Sequence, residues 1–309
     1  MDLGGKKVLV TGAAGFIPSH IVDRLVIEGA EVAAIDNMQN GHESNLEKSR
    51  DKIQFEKADI REAEKISQLV KDQDVVFHLA ANANVPYSVK HPDYDFSTNV
   101  IGTYNILKAA MDSDVRIVYA STAAVYGDPQ YTPVDEKHPL EPVSPYGGSK
   151  LAAERIGFAY HRTYGIPFTA IRVFNTYGPR QRHYVLADLV RKLSNNPKKL
   201  EVLGTGEQIR DYCFISDTVD AFISAAIKKC AIGEVFNISG GCPISIKELV
   251  EHIANLLELN PEIIYTGKSW KGDITVLQAD IAKISRVLEW KPKVDLKRGL
   301  CLFKQWYNE

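Results

Sequence analysis

The stretch that decides the fold is Val8-Leu9-Val10-Thr11-Gly12-Ala13-Ala14-Gly15-Phe16-Ile17-Pro18. Its first residues form a short, continuously apolar run, which is typical of a buried parallel strand, and the residues after Gly15 have the apolar spacing of a helix. Gly12 allows a tight turn between the two, and Gly15 opens the helix, whose N–H groups and dipole favour a phosphate. A glycine-rich turn placed between a first strand and a helix predicts a dinucleotide-binding domain.

The same alternation of short apolar strands and longer helices continues to about residue 175. Strand–helix alternation of this kind predicts an α/β fold with a doubly wound parallel sheet, the Rossmann fold. The predicted strands are Lys7–Val10, Val32–Ile35, Ile53–Lys57, Val75–Leu79, Val115–Tyr119 and Phe168–Val173, and the predicted helices are Phe16–Glu28, Arg61–Lys71, Tyr94–Met111 and Pro145–Tyr164.

The pattern changes after Asn175, where loops lengthen and the elements become shorter and mixed. We therefore expect a dinucleotide-binding domain over residues 1–175 and a smaller mixed α/β substrate domain over residues 176–309, with the strand at Phe236–Ile238 able to return to the first sheet. Helical patterns in the second part lie at Val185–Leu193, Thr218–Lys229, Ile246–Leu257 and Ile281–Leu288 and from Leu296 onward.

Composition excludes several classes of protein. The 309 residues carry a net charge of −2, so a nucleic acid is not expected as partner, and no apolar run is long enough to span a membrane. The N-terminus runs directly into the first predicted strand, without the apolar region of a signal peptide. The four cysteines form no Cys-x-x-Cys pair and the histidines have no metal-ligand spacing. These features predict a cytoplasmic protein without a metal.

The ends of the next strands indicate which dinucleotide binds. Asp36 ends the second strand, 21 residues after Gly15, where a carboxylate accepts both ribose hydroxyls and repels a 2′-phosphate, so NAD is favoured over NADP. Asp59 ends the third strand, where it can meet the adenine amino group. Pro18 replaces the usual third glycine, and we expect a small shift in helix packing rather than lost binding. The cofactor residues predicted in this way are Gly12, Gly15, Phe16, Ile17, Asp36, Asn37, Asp59, Ile60, Leu79, Ala80, Ala81 and Asn99.

A tyrosine and a lysine four residues apart, Tyr146 and Lys150, lie on one face of a predicted helix. Tyr104 and Lys108 have the same spacing, but they lie in the middle of another helix, where packing is the expected role. Tyr146 begins a helix soon after the fifth strand, beside Thr122. A phenol has a pKa near 10, and a useful base at neutral pH needs a pKa near ~7. An adjacent ammonium group and the positively charged nicotinamide ring can lower the pKa of the phenol towards that value. We predict that Thr122, Tyr146 and Lys150 are catalytic and that the last two also contact the cofactor.

Several segments together carry a family resemblance. The segments TGAAGFI, STAAVYG, YGGSK, FNTYGPRQ and GTGEQIRDYCFISD resemble the extended short-chain dehydrogenases, in particular the nucleotide-sugar epimerase and dehydratase group. The resemblance implies that one domain holds NAD and the other holds a UDP-sugar, and that a homodimer forms through the helices at Tyr94–Met111 and Pro145–Tyr164. By motif position, the resemblance implies that Phe174 contacts the cofactor, Asn175 the diphosphate, Arg210 and Lys271 a phosphate, and Asp273 the uridine ribose or a nearby group. The alternative for Arg210 is a surface ion pair with Asp211 or Glu207.

The resemblance also narrows the reaction. In this group the tyrosine takes the proton of the sugar 4-OH while NAD takes the C4 hydride. A dehydratase then needs an acid–base pair after the threonine, and a decarboxylase a glutamate, but this chain has Ala123 and Ala124 there. Return of the hydride to the other face needs neither, which predicts a 4-epimerase. UDP-glucose and UDP-galactose are the first choice of substrates, and the UDP-N-acetylhexosamine pair is also allowed.

The identity of the sugar is left open by the sequence. By the resemblance, Ala124 falls where glucuronate epimerases tend to offer a hydroxyl to the carboxylate, which argues against a glucuronate. Leu277 falls where glucose-only epimerases tend to have tyrosine, and the smaller side chain leaves room for an N-acetyl group. A UDP-glucuronate 4-epimerase, a nucleotide-sugar 4,6-dehydratase and an NAD-sensing binding protein stay as alternatives, although the intact Thr122, Tyr146 and Lys150 argue against the last.

Overall fold

The computed structural model describes residues 3–111, 113–268 and 274–308. Its main feature is a seven-stranded sheet, in the order β10-β6-β5-β4-β1-β2-β3, in which every neighbouring pair is parallel. This order confirms the doubly wound α/β fold that the sequence predicts. The strands are β1 Lys7–Thr11, β2 Glu31–Asp36, β3 Ile53–Lys57, β4 Val75–His78, β5 Arg116–Thr122, β6 Phe168–Val173, β7 Asn175–Tyr177, β8 Lys199–Val202, β9 Ile209–Phe214, β10 Val235–Ile238, β11 Pro243–Ser245, β12 Glu262–Tyr265 and β13 Val276–Leu277.

The helices of the first half lie close to their predicted positions, with two differences. The predicted helix Tyr94–Met111 is divided by one π-helical turn at Ser97–Ile101, and a short helix, α3, precedes it. The helices are α1 Phe16–Ile27, α2 Ala63–Val70, α3 Val85–Lys90, α4 Pro92–Phe96, α5 Gly102–Ala109, α6 Pro145–Tyr164, α7 Tyr184–Asn195, α8 Ile215–Ile227, α9 Ile246–Leu256, α10 Ala282–Leu288 and α11 Leu296–Asn308, with a 3-10 helix at Glu43–Lys52.

A smaller unit, the second lobe, is built from β7, β9, β11 and β13, the parallel pair β8 and β12, and the helices α7, α9 and α11. The sequence did not predict these strands, which are two to six residues long. Between them the chain returns to the large sheet, because β10 pairs with β6 and α8 packs against α1 and β5. The second lobe is therefore not contiguous in the sequence.

Apolar side chains cover both faces of the large sheet. Along β1, Val8 and Val10 pack into the cluster with α1 and α8, whereas Leu9 packs into the cluster with α2 and α5 on the other face. Both faces are buried, and this is why the strands are apolar at consecutive positions. A ligand cleft is expected at the carboxyl ends of the strands, between β1 and β4, where the strand order reverses.

Candidate active site

The glycine-rich turn after β1 brings two strand ends into close contact. Gly12 has φ +70°, and a Cβ added to it would lie 2.9 Å from Cα of Ala80, just after β4. Gly15 lies at the amino end of α1, and no side chain caps that end. Pro18 is in the first turn of α1, where a missing N–H has no helical partner to lose. The residues therefore fit a dinucleotide, whose diphosphate would meet the uncapped N–H groups.

Two carboxylates stand at the ends of the next strands. Asp36 is buried and accepts hydrogen bonds from the N–H groups of Ala14 (3.0 Å) and Met38 (2.7 Å), and its burial raises its pKa. Asp59 is held by Arg61 and Asn37. Burial by itself would raise the pKa of Asp59, but these hydrogen bonds lower it to about 2. Each carboxylate is thus oriented by the chain before any ligand binds.

A fully buried histidine, which the sequence analysis did not single out, connects β1, β4 and α5. The Thr11 hydroxyl accepts from two N–H groups after β4 and so must donate to Nδ1 of His78, at 2.8 Å. Nε2 of His78 then donates to the hydroxyl of Thr103 (2.9 Å), which donates to the carbonyl of Asn99 (2.6 Å). Burial and the nearby Lys150 lower the pKa of His78 to about 3. The histidine is neutral at physiological pH and holds the ends of β1 and β4 in register.

A second buried network surrounds Asn99. Its amide accepts from the N–H of Asn82 (2.8 Å) and donates to the hydroxyl of Ser149 (2.9 Å). At the centre lies Asp95, whose carboxylate accepts from Ser149 (2.5 Å), from the Asn82 amide (2.7 Å) and from Asn99 (3.2 Å). Among the described residues, Asp95 has amide and hydroxyl donors but no ion-pair partner. The network joins α4 to α6 between Tyr146 and Lys150.

Helix α6 starts directly beside the end of β5. Ser144 caps the helix by accepting from the N–H of Gly147 (3.1 Å), and a Cβ at Gly147 would lie 2.5 Å from the carbonyl oxygen of Ala124. Only a glycine allows this close approach. As a result the Tyr146 side chain lies near Thr122, close enough for Thr122 to lower the pKa of the phenol, and the Tyr146 N–H donates to the Ser88 hydroxyl at 3.1 Å. The structure therefore brings two of the predicted catalytic residues together.

The third, Lys150, is 2% exposed, with Nζ 4.2 Å from the ring centre of Tyr119. Burial lowers its pKa to about 7, although the carboxylates of Glu154 and Asp95 oppose this change. Burial also raises the pKa of Tyr146 above its usual value, although the nearby Thr122 opposes this change. The predicted lowering of the phenol pKa depends on the nicotinamide charge as well as on Lys150, and it stays a prediction.

Next to this pair is a buried ion pair that the sequence analysis missed. Glu154 is fully buried one turn after Lys150, and Arg172 on β6 is 2% exposed. Arg172 binds both carboxylate oxygens of Glu154, at 2.6 and 3.0 Å, and the hydroxyl of Ser121 donates to the same carboxylate at 2.6 Å. The ion pair ties α6 to β5 and β6 at the level of the predicted catalytic residues.

The predicted substrate residues lie on the second lobe and at its junction with the sheet. Asn175 begins β7 and donates to the carbonyl of Asp211, at 3.4 Å. Leu277 on β13 is paired with Arg210 on β9 and packs in one cluster with Phe174 and with Ala123, next to Thr122. The other two predicted positions, Lys271 and Asp273, lie outside the described residues.

The second tyrosine–lysine pair has different surroundings. Nζ of Lys108 lies 6.0 Å from the ring centre of Tyr104, which packs edge-on against Tyr160 on α6 at 6.4 Å between ring centres. Tyr104 is 36% exposed, so it lies on the outer face of these helices. The same spacing thus occurs once beside the end of β5 and once on the surface.

Comparison with known proteins establishes the family. Residues 9–302 match the family model described as GDP-mannose 4,6 dehydratase. The chain belongs to this family of extended short-chain dehydrogenases. A curated relative, the UDP-glucose 4-epimerase of Mycolicibacterium smegmatis, is 36% identical, with 98% of each chain covered.

Two solved structures of the family resemble the fold closely. The UDP-glucose 4-epimerase of Thermotoga maritima, with UDP-glucose, has a TM-score of 0.92 at 32% identity and covers 98% of both chains. The UDP-glucuronic acid 4-epimerase of Bacillus cereus, with UDP-glucuronic acid and NAD, has a TM-score of 0.92 at 32% identity, covering 98% of this chain and 99% of that one. In the part of this chain that the structure describes, no helix has the length and apolarity needed to cross a membrane.

Proposed function

We propose that the protein is an NAD-dependent 4-epimerase that interconverts UDP-glucose and UDP-galactose, with the UDP-N-acetylhexosamine pair as further candidate substrates. The observation that carries the proposal is that α6 starts beside the end of β5, which places Tyr146 near Thr122, with Lys150 one turn later, at the carboxyl end of the sheet. The family relationship and the NAD in the similar Bacillus cereus structure support the same cofactor here.

The cofactor would be held by residues of the first four strand ends. The N–H groups at the start of α1, after Gly15, would bind the diphosphate, Asp36 the adenosine ribose and Asp59 the adenine amino group. When bound, NAD supplies a hydride acceptor, a hydride donor for the return step and a positive charge that favours the phenolate. Lys150 adds a second positive charge one helical turn from Tyr146 whenever it is protonated.

The residues of the chain supply the proton transfers and the orientation of the sugar. Thr122 orients the sugar 4-OH, and Tyr146 receives its proton as the C4 hydride leaves, which gives a 4-keto sugar. The keto sugar turns in the pocket and takes the hydride on its opposite face, while Tyr146 returns the proton. Ala123 and Ala124 lie immediately after Thr122. Since they transfer no proton, the elimination of water by a dehydratase has no acid or base at this position.

Incubation with UDP-galactose tests the reaction. We expect UDP-glucose to form without added NAD, and Tyr146→Phe to slow turnover at least ~100-fold while NAD stays bound. Tyr104→Phe is the matched control, since it removes a phenol with the same spacing to a lysine, and it should leave the rate unchanged. A 4-keto-6-deoxy product would support the dehydratase instead, turnover of UDP-glucuronate the glucuronate epimerase, and no product with any sugar the NAD-sensing protein.

We further propose that the protein forms a homodimer through α4, α5 and α6. Large apolar side chains are exposed along these helices, namely Phe96 (53%), Ile101 (41%), Tyr104 (36%) and Tyr164 (47%). A second copy of the chain would cover them, because burial of apolar area favours association. Light scattering should give twice the mass of the chain, and Phe96→Asp should give the monomer. Ile27→Asp, on α1 and 80% exposed, is the control that should leave the dimer intact.

A further inference from the structure

The first residue of α7, Tyr184, has an unusual backbone. Its φ is +75°, and Arg180 in the preceding loop has φ +70°. A bulky residue rarely adopts a positive φ, because its Cβ is crowded by the backbone. Such strain persists only where the surrounding structure imposes it, and it is concentrated at functional sites. The strained backbone of Tyr184 therefore indicates that its side chain has a function.

The side chain of Tyr184 reaches from the second lobe to the large sheet. Its hydroxyl donates to the carbonyl of Ala83, at 3.1 Å, in the segment that follows β4. Ser88 in the same segment accepts a hydrogen bond from the N–H of Tyr146 on α6. The two phenols are close enough for the charge of one to affect the other. Tyr184 is 61% exposed, so it is not part of a core. Because its hydroxyl meets Ala83 just after β4, it stands at the edge of the expected ligand cleft.

We infer that Tyr184 is a positioning residue that closes the sugar end of this cleft and retains the 4-keto sugar between the two hydride transfers. The inference rests on the proposed function, since only an epimerase must let an oxidised sugar turn without losing it. A phenol suits this place because its ring limits the space while its hydroxyl bonds to the opposite wall.

Loss of the keto sugar after the first hydride transfer would leave the cofactor reduced. Oxidation at C4 moves one hydride to the nicotinamide and one proton to Tyr146. If the keto sugar escapes, one reduced cofactor stays behind for each sugar lost, and the enzyme stops. Escape is therefore measurable as the near-ultraviolet absorbance of reduced nicotinamide and as keto sugar in the medium, trapped by borodeuteride.

The test compares Tyr184→Phe with Tyr131→Phe. Tyr131 is also half-exposed, at 46%, and its hydroxyl also makes one hydrogen bond, to Asp135 at 2.9 Å. We expect Tyr184→Phe to increase keto-sugar escape per turnover about three- to tenfold, the range for one neutral hydrogen bond. Tyr131→Phe should have no effect. Tyr184→Asn, which tolerates a positive φ and removes the ring, should show greater escape with an unchanged circular dichroism spectrum.

Binding provides a second readout that does not need turnover. By calorimetry, Tyr184→Phe should weaken UDP-hexose by a similar factor and leave UDP unchanged. Equal escape in Tyr184→Phe and wild type overturns the inference while the proposed function stands. An inactive wild-type enzyme refutes the proposed function, and the role of Tyr184 is then tested by the binding measurement alone. If Tyr184→Phe weakens UDP and UDP-hexose equally, or weakens neither, the inference about Tyr184 is overturned.

Discussion

The buried ion pair of Glu154 and Arg172 leads to a prediction about stability. Glu154→Gln keeps the size of the side chain but removes the charge that both Arg172 nitrogens bind. Arg172, at 2% exposure, would then be a buried guanidinium without a counter-charge. Loss of one partner of a buried ion pair costs about 3–5 kcal/mol, much more than its loss at a surface. We expect the free energy of unfolding to fall by that amount.

The assay is equilibrium unfolding in urea, followed by circular dichroism at one saturating NAD concentration, because bound ligand contributes to apparent stability. Glu234→Gln is the matched control. It removes the partner of Lys283 at 2.8 Å, with Glu234 45% exposed, and exposed pairs contribute at most about 1 kcal/mol. If Glu154→Gln costs no more than Glu234→Gln, the reasoning about the buried pair is refuted.

Three further predictions concern the cofactor cleft. Asp36→Ala should weaken NAD binding about 10- to 100-fold, the effect of losing hydrogen bonds to a charged group. An unchanged NAD affinity in a fluorescence titration would show that Asp36 does not contact the ribose. Gly12→Ala should reduce both NAD affinity and stability more than Gly5→Ala, because both have a positive φ but only Gly12 lies against another strand; equal losses would mean that the close approach is unimportant. The pKa of His78 is about 3 in the folded protein against 6.5 when unfolded, so the unfolded state binds more protons between these values. The free energy of unfolding should therefore fall as the pH drops from 6.5 towards 3. It is measured by urea unfolding at pH 7 and 5, and an equally steep fall in His78→Gln would contradict the role of His78.

The sequence was informative about the cofactor half of the protein because the signals in that half are local. The strand, glycine turn and helix at residues 8–27 are consecutive, so their periods and their turn appear directly in the sequence. The spacing of Tyr146 and Lys150 is likewise local. It did not distinguish this pair from Tyr104 and Lys108, because only the position of α6 beside β5 places one pair at the cleft.

The polar contacts that support the site could not be predicted in this way. Glu154 meets Arg172 on a different element, His78 joins Thr11 to Thr103, and Tyr184 reaches Ala83 from the other lobe. Each of these contacts joins residues that are distant in the sequence, and the pattern around each residue shows only its own helix, strand or loop.

What the sequence determined by itself was the parallel sheet and the glycine turn, because these follow from local periodicity and residue type, whereas the type of chemistry followed from the resemblance of its motifs to a known family. The tertiary structure alone decided the second lobe, whose short strands have too few residues to show a period, and the surroundings of Tyr146 and Lys150. Burial raises the pKa of Tyr146 and lowers that of Lys150, and desolvation depends on every element packed around a group rather than on its neighbours in the chain.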